Sequence, residues 1–282
     1  MKSLKASSLL MSRGGSREVE KLSISDLSYS PYLTIIDNLN ALLTSLFSAG
    51  EQGAIYIPKP VVNGVQSLFQ DAAGTAAVTA DGDPVGLMLD QSGNAHSATQ
   101  NISAARPLYN LDNGLNSLSF DGVDDYYDLG LVASGLNGSA FIISIACRYF
   151  GGTGQGEIFE AAENSGKQGG RILAFNNAYV FQTGDGSSRN NITAGTPGGK
   201  DVLTLIYTGA DMIARINGEQ VGRLDGIAYV SATTNSIIGS QDGSSAFAEM
   251  EVYGAVSYIG SITQDQIDNT EAYLASLMGI TL

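Results

Sequence analysis

The sequence predicts an all-β fold, a sandwich of antiparallel sheets with helices only near its two ends. In "AFIISIACRYF" (140–150), Phe141 and Cys147 fall on one face of a strand, whereas Ser144 and Arg148 fall on the other. In "MIARINGEQVGRL" (212–224), Asn-Gly predicts a hairpin, because both central residues of a type I′ turn need positive φ. Short strands and Gly-rich turns continue from about residue 65 to about residue 260 without intervening helices, which favours a sandwich or barrel over a parallel sheet.

Composition and charge limit the classes of function. The chain has 282 residues, of which 43% are hydrophobic, so it can bury a sizeable core. Its formal net charge of -14 repels phosphate backbones and anionic lipid, so we expect neither nucleic-acid binding nor membrane insertion. No run of the sequence approaches the ~18 apolar residues that a membrane span needs.

The cysteine content and the first residues indicate where the protein is made. Cys147 is the single cysteine, so no intrachain disulfide can form, which is usual for proteins of a reducing cytoplasm. The apolar part of "MKSLKASSLLMSRGG" is too short for the core of a signal peptide. We therefore expect synthesis in a cytoplasm and no export by an ordinary signal.

The N-terminal segment is predicted to be a polar arm, residues 1 to about 30, followed by an apolar helix between Pro31 and Gly50. Its apolar stripe consists of Ile35, Leu39, Leu42 and Leu46, widened by Ile36, Leu43 and Phe47. The chain's own domain or a partner chain could cover this stripe, and two heptads do not decide between them. Because a sandwich closes its core between its own sheets, we expect Ile35, Leu39, Leu42, Leu46 and Phe47 to be oligomer or anchoring contacts.

A second helix is predicted at the C-terminus, near Gln264 to Leu277. Thr263 followed by Gln266 is a capping box, and Gly279 supplies the end of the helix. We expect the helix on the outside or edge of the sandwich.

Four segments together resemble the laminin-G-like, concanavalin A-like jelly rolls. They are "LMLDQSGNAHSATQ" (87–100), "LSFDGVDDYYDL" (118–129), "YTGADMIARINGEQVG" (207–222) and the stretch from "IIGSQDG" (237–243) to the C-terminus. They occur in the family's order over residues 65–282. The resemblance implies a jelly-roll domain over 61–282, preceded by an N-terminal arm and anchoring helix over 1–60.

A narrower resemblance concerns "SLFQDAAGTAAVTADGDPVGLMLDQSGNAHSATQ" (67–100), which is similar to a segment of tailed-bacteriophage structural proteins. It implies a virion structural protein, a capsid- or tail-associated decoration or fibre component that displays the jelly roll. The implied partners are other virion proteins and copies of the chain itself, and the implied location is the virion. A carbohydrate-binding host-adhesion protein is the first alternative, and a polysaccharide-degrading glycosidase or lyase is the second.

The segment "FDGVDDYYDLG" (120–130) concentrates negative charge in Asp121, Asp124, Asp125 and Asp128. An Asp-Gly turn, in which the Asp121 carboxylate accepts main-chain N–H bonds, explains that residue without a metal. Asp121, Asp124 and Asp125 could instead contribute to a weak calcium site at the rim of the sandwich, since calcium takes several oxygen ligands. We expect Asp128 to be a surface residue, and no cofactor other than this candidate calcium.

Sugar-binding sites usually combine exposed aromatic residues with Asp or Asn. Tyr126, Tyr127, Asp90 and Asn94 are the candidate ligand-binding residues on this ground, with packing as the alternative for the tyrosines. A host surface glycan is the corresponding expected partner.

Catalytic residues are not expected. The single histidine, His96, lies in the "SGNAHSATQ" segment, where a turn or packing role is expected, and Cys147 is expected in the core. Glycosidases need paired carboxylates. Glu249 and Glu251 share a face of a strand, whereas the spacing of three between Glu157, Glu160 and Glu163 alternates faces. We therefore predict a protein that binds and does not catalyse.

Overall fold

The fold is an antiparallel β-sandwich with a layer of helices on one side. The computed structural model describes residues 31–132, 139–151, 154–164, 167–231 and 235–282. Within these residues, one sheet has eight strands, a second has nine, and a hairpin forms a separate small sheet. The predicted sandwich is confirmed.

The helices of the described residues are α1 (Pro31–Phe47) and α2 (Gln264–Leu277), and a 3₁₀ turn spans Ser103–Ala105. The first strands in chain order are β1 (Gln52–Tyr56), β2 (Val61–Val62), β3 (Val65–Gln66), β4 (Leu68–Phe69), β5 (Leu87–Met88), β6 (Ala98–Thr99), β7 (Leu108–Asp112), β8 (Leu115–Asp121) and β9 (Tyr127–Val132). The later strands are β10 (Phe141–Tyr149), β11 (Gly156–Asn164), β12 (Gln168–Phe175), β13 (Ala178–Gly184), β14 (Arg189–Ala194), β15 (Asp201–Tyr207), β16 (Met212–Ile216), β17 (Glu219–Leu224), β18 (Asn235–Ile238) and β19 (Glu249–Ile259).

The first sheet is organised around its long strand β19. Its order is β17-β16-β15-β10-β19-β8-β7, and β1 also pairs with β19. Residues Glu249–Val252 of β19 face β8, whereas Ala255–Ile259 face β1, so both partners share one strand. The second sheet has the order β14-β13-β12-β11-β18-β9-β6-β5-β4.

The main core lies between the two sheets, and β10 shows how alternation builds it. Phe141, Ile143, Ile145 and Cys147 are buried in this core, as the alternation predicts. Ile142 and Ala146 point to the opposite face and are buried as well, in a second apolar core. The first sheet is therefore covered on both faces.

Helices α1 and α2 form the cover over the outer face of the first sheet. Leu39, Leu42 and Leu46 of α1 are buried in the second core together with Ile267 and Leu274 of α2. At ~1.5–3 kcal/mol for each large apolar side chain, this burial favours attachment of α1 to its own domain.

This placement corrects the expectation that the stripe of α1 contacts other chains. Leu39, Leu42 and Leu46 are buried within the chain, and Phe47 packs edge-on against Tyr258 with ring centroids 5.9 Å apart. The Ile35 side chain lies outside the described residues. The sequence argument failed because it considered only the core between the sheets and not the apolar outer face of the first sheet.

The expected boundary at residue 60 does not separate two domains in the structure. Strand β1 pairs with β19 over its whole length, from Gln52↔Ile259 to Tyr56↔Ala255. At Gly53 the strands approach so closely that an added Cβ would lie 2.1 Å from the Ser257 carbonyl oxygen. The sandwich therefore includes residues before 61. The arm, residues 1–30, lies outside the described residues.

Local motifs are confirmed at two turns. Asn217 and Gly218 have φ of 51° and 83°, as a type I′ turn between β16 and β17 requires. Thr263 accepts from the Gln266 main-chain N–H, and the Gln266 side chain accepts from the Thr263 N–H, which completes the capping box of α2.

Candidate functional site: an acidic rim

The turn after β8 is built by aspartate acceptors. Oδ1 of Asp121 accepts from the N–H groups of Val123 at 2.8 Å and Asp124 at 3.3 Å. Gly122 has φ of 74°, and its close approach to Glu249 leaves no room for a Cβ. The Asp-Gly turn predicted from the sequence is confirmed, and it turns the chain at the edge of the sandwich.

Three carboxylates of this turn gather at one point, which we call the acidic rim. One oxygen from each of Asp121, Asp124 and Asp125 lies within 4.8 Å of the others. Asp121 is exposed, Asp124 is half-buried and Asp125 is buried. These carboxylates could supply part of the oxygen shell of a calcium ion, whose usual 6–8 ligands would require main-chain or water oxygens in addition. Oδ1 of Asp121 is already used by the turn.

The buried side chain of Asp125 stabilises the turn that carries the rim. Its Oδ2 accepts from the Asp121 N–H at 2.9 Å, and its side chain is buried. Burial raises the pKa of Asp125 to about 6; the Asp121 N–H opposes this shift, while the charges of Asp121 and Asp124 add to it. The rim thus brings three carboxyl groups together at one edge of the sandwich, which favours a cation or a donor-rich ligand.

Tyr126 connects the rim to the loop between β18 and β19, residues 239–248. Its ring packs against Gly243, where an added Cβ would lie 2.9 Å from the ring and where φ is 66°. Its main-chain carbonyl accepts from Gln100 Nε2 at 2.9 Å. The half-buried Tyr126 thus directly follows the three carboxylates in the chain, which is the combination of residue types that the sugar-site pattern requires.

Tyr127 does not join the rim, which corrects its assignment as a ligand-binding residue. The side chain is fully buried in the main core, and its hydroxyl donates to the Val85 carbonyl at 2.7 Å. Its ring also packs on Phe120, with centroids 5.9 Å apart. Adjacent strand residues point to opposite faces, so Tyr126 and Tyr127 cannot both face a ligand.

Asp90 and Asn94 lie in a different loop from the rim, and their side chains make hydrogen bonds to β1 and the residue before it. Asp90 accepts from the N–H groups of Ile55 at 3.0 Å, Ser92 at 2.8 Å and His96 at 3.2 Å. Asn94 Nδ2 donates to the carbonyls of Glu51 and Gly53. Their polar atoms bind the "DQSGN" loop to the first strand, which gives both residues a structural role, and their assignment as ligand-binding residues stays a prediction.

The remaining sequence candidates take positions in the loop, the core and a sheet edge. The His96 carbonyl accepts from the Tyr56 hydroxyl at 2.6 Å, within the same loop. Cys147 is buried in the main core as expected, and burial raises the pKa of its thiol. Glu251 accepts from Asn110 and from the Tyr253 hydroxyl, while Glu249 on the same face is exposed. Asp128 is half-buried and accepts from Asn235 rather than facing solvent alone.

A second acidic group, Glu157 and Glu160 of β11, lies on one face of the second sheet. Their cross-strand partners on β12, Leu173 and Arg171, are two residues apart and so share a face. The register shift between Glu157 and Phe159 accounts for this, because a bulge inserts an extra residue. The expectation that a spacing of three alternates faces was wrong for this reason. The side chain of Glu163 lies outside the described residues.

Comparisons with known proteins support the fold. No family model matches the chain, and a search of curated protein sequences also finds no match. Among solved structures, the binding domain of Paraclostridial Mosquitocidal Protein 1 is similar at a TM-score of 0.52 and 10% identity, over 66% of this chain and 49% of that one. A botulinum neurotoxin serotype D/C binding domain gives 0.53 and 12%, over 83% and 53%. Trypanosoma rangeli sialidase gives 0.53 and 13%, over 92% and 41%.

These similarities define the chain as an all-β jelly-roll sandwich. The chain spans about half the length of the binding domains that it matches and less of the sialidase. None of the helices in the described part of the chain combines the length and hydropathy that crossing a bilayer requires.

Proposed function

We propose that the chain is a carbohydrate-binding β-sandwich carried by a bacteriophage virion, and that it acts by binding rather than catalysis. The observation that carries the binding role is the fold, which is similar to that of the toxin binding domains. One of those structures is titled a receptor binding domain, that of botulinum neurotoxin type G, with a TM-score of 0.50.

The acidic rim is the surface that we assign to the glycan. It combines a half-buried tyrosine ring with clustered carboxylates, of which Asp121 is exposed. Sugar hydroxyls donate to carboxylates, and the apolar face of a sugar ring packs on an aromatic ring. The exposed Val123, at 69% relative accessibility, extends the apolar part of this surface.

The virion assignment rests on the resemblance of residues 67–100 to phage structural proteins. Because α1 belongs to the sandwich, we assign the attachment to the polar arm, residues 1–30, which precedes this helix in the sequence. Ordering such an arm costs conformational entropy, which contact with a capsid or tail partner would offset.

Binding to an array of bacterial and host-type glycans tests the binding role. We expect the purified chain to retain a subset of glycans, and Y126A and the D121N/D124N variant to reduce that binding at least ~10-fold, which corresponds to ~1.4 kcal/mol. E219Q, an exposed acid on β17, is the matched control. Absence of glycan binding, or equal binding by the rim variants, would contradict the assignment.

Product analysis on the same glycans separates binding from catalysis. We expect bound glycans to be recovered intact. Shortened products that disappear in a Glu249 or Glu251 variant would establish the glycosidase or lyase alternative instead.

A further inference from the structure

The buried pair Glu157 and Glu160 has no part in the proposed glycan surface. Both residues are 0% exposed, and Oε1 of each accepts no hydrogen bond within the described part of the chain. Leaving a buried acceptor without a donor is costly. A single proton on one of the two carboxyl groups would provide a donor where the described groups supply none.

Two arginines on the other strands of the sheet, Arg171 and Arg189, bring positive charge to the glutamate pair. Arg171 of β12 donates from Nη1 to Oε2 of Glu157 at 3.2 Å, and its Nε donates to Gln182 of β13. The guanidinium of Arg189, on β14, also acts on Glu157 and Glu160. Since the ion pair to Arg171 is made by Glu157, we assign the retained negative charge to Glu157 and the proton to Glu160.

The loop 239–248 adds negative charge near the glutamate pair through Asp242. Among the described residues, the Asp242 carboxylate also acts on both glutamates and adds a third negative charge beside them. Burial, followed by the charges of Glu157 and Asp242, raises the pKa of Glu160 to about 8. Burial raises that of Glu157 to about 7, although the Arg171 charge opposes the shift.

The loop 239–248 makes hydrogen bonds to the glutamate pair and to Gln155 beside it. The Asp242 N–H donates to Oε2 of Glu160 at 3.4 Å, and the Glu157 N–H donates to the Ala246 carbonyl at 2.8 Å. Gln155 Nε2 contacts both Oε2 of Glu157 and Oε1 of Gln241. On its other side the loop places Gly243 against the Tyr126 ring.

We propose that a proton held on Glu160, next to the ionised Glu157, keeps the loop 239–248 in place, and that its loss at alkaline pH shifts the loop away from Tyr126. Without the proton, two adjacent buried carboxylates and Asp242 repel one another. The 3.4 Å bond from the Asp242 N–H to Glu160 strengthens on ionisation and is the contact with the loop that opposes this repulsion. This inference concerns the loop and does not rest on glycan binding.

A fluorine label on the loop tests the proposal in the full chain. S244C offers an exposed attachment point, while the buried Cys147 thiol, with its raised pKa, reacts poorly. With a trifluoromethyl label, we expect the ¹⁹F shift of the S244C chain to change between pH 5.5 and 9.5 with a midpoint between about 7 and 8. A shift that stays constant over this range in folded protein would overturn the proposal.

Variants in the labelled chain identify the titrating group. E160Q, whose neutral amide has the shape of the protonated acid, should keep the low-pH signal throughout, whereas E219Q should titrate like the parent. A normal midpoint in E160Q would overturn the proposal. If E160Q does not fold, D242N decides: it removes a charge that raises both pKa values, so the midpoint should move to lower pH, and an unchanged midpoint would contradict the mechanism.

Discussion

Aspartates of this chain act mainly as acceptors for main-chain N–H groups. Asp90, Asp121 and Asp185 each accept from two or more N–H groups, and each shapes a loop. These carboxylates therefore stabilise the loops in which they lie. The high acidity of the chain does not by itself indicate metal binding; in the described part of the chain, the rim is the group of carboxylates whose oxygens lie close enough together to hold one ion.

Replacing Asp90 should weaken the attachment of β1. D90A removes the acceptor of the Ile55, Ser92 and His96 N–H groups, so we expect the free energy of unfolding to fall by about 2–3 kcal/mol. Urea unfolding measures this, with E219A as the exposed control. If D90A unfolds at the same urea concentration as the parent, these bonds do not stabilise the fold.

The raised carboxyl pKa values predict how stability depends on pH. The folded state holds protons on Asp125 and on the Glu157–Glu160 pair above the pH at which unfolded acids, with a pKa of about 4, release them. The free energy of unfolding should therefore decrease as pH rises from about 4 to about 8 and then level off. Thermal unfolding across this range measures the trend, and E157Q/E160Q should flatten it between pH 6 and 8. A stability that rises from pH 6 to 8 would contradict these pKa directions.

At this scale the sequence predicted the residues whose role is local. The Asp121 turn, Asn217-Gly218 and the Thr263 capping box depend on neighbours a few positions away, so their residue types suffice. The glutamate pair could not be predicted, because a bulge changes the register and no residue type marks it.

Helix α1 and strand β1 behave as parts of the sandwich. Leu46 is 0% exposed in the second core, and Gln266 Nε2 of α2 donates to the Ser45 carbonyl of α1. The sequence predicted the helix and its apolar stripe, but not its partner. The sequence signal for this partner lies in β10 and β15. Both faces of these strands carry apolar residues, which indicates a sheet that is covered on both sides.

Truncating Leu46 should therefore destabilise the whole sandwich. L46A leaves a cavity in the second core, and we expect a loss of about 2–5 kcal/mol in the free energy of unfolding. Denaturant unfolding measures the loss, with S48A, at an exposed position after the helix, as control. A value near zero would mean that α1 is detached from the domain in solution.

Two deletions separate the arm from the helix. Removing residues 1–30 should leave a folded sandwich, because α1 and β1 remain. If the arm makes the proposed attachment, this shortened chain should no longer enter phage particles. Removing residues 1–60 should cause unfolding or aggregation, because it exposes the apolar outer face of the first sheet and removes the partner of Ala255–Ile259. Circular dichroism and particle incorporation measure both outcomes. A monomeric, folded 61–282 fragment would contradict this account.

The whole molecule presents its loops at the edge of a closed sandwich, and the helices close the first sheet's outer face. The rim lies in the turn after β8, and the loop 239–248 packs against the ring of Tyr126, which directly follows that turn. The jelly roll was predictable from four segments in order. Its binding surface was only half predictable, because which of two adjacent tyrosines faces outward depends on the register of β9.

Mapping a bound glycan onto the chain tests the central claim most directly. With ¹⁵N-labelled protein and a glycan selected from the array, we expect chemical-shift changes to centre on residues 121–126 and 241–245. Y126A should abolish them while the rest of the spectrum stays native. Perturbations centred on α1 and α2, or on the outer edge of the first sheet, would contradict the claim that this sandwich binds glycans through its acidic rim.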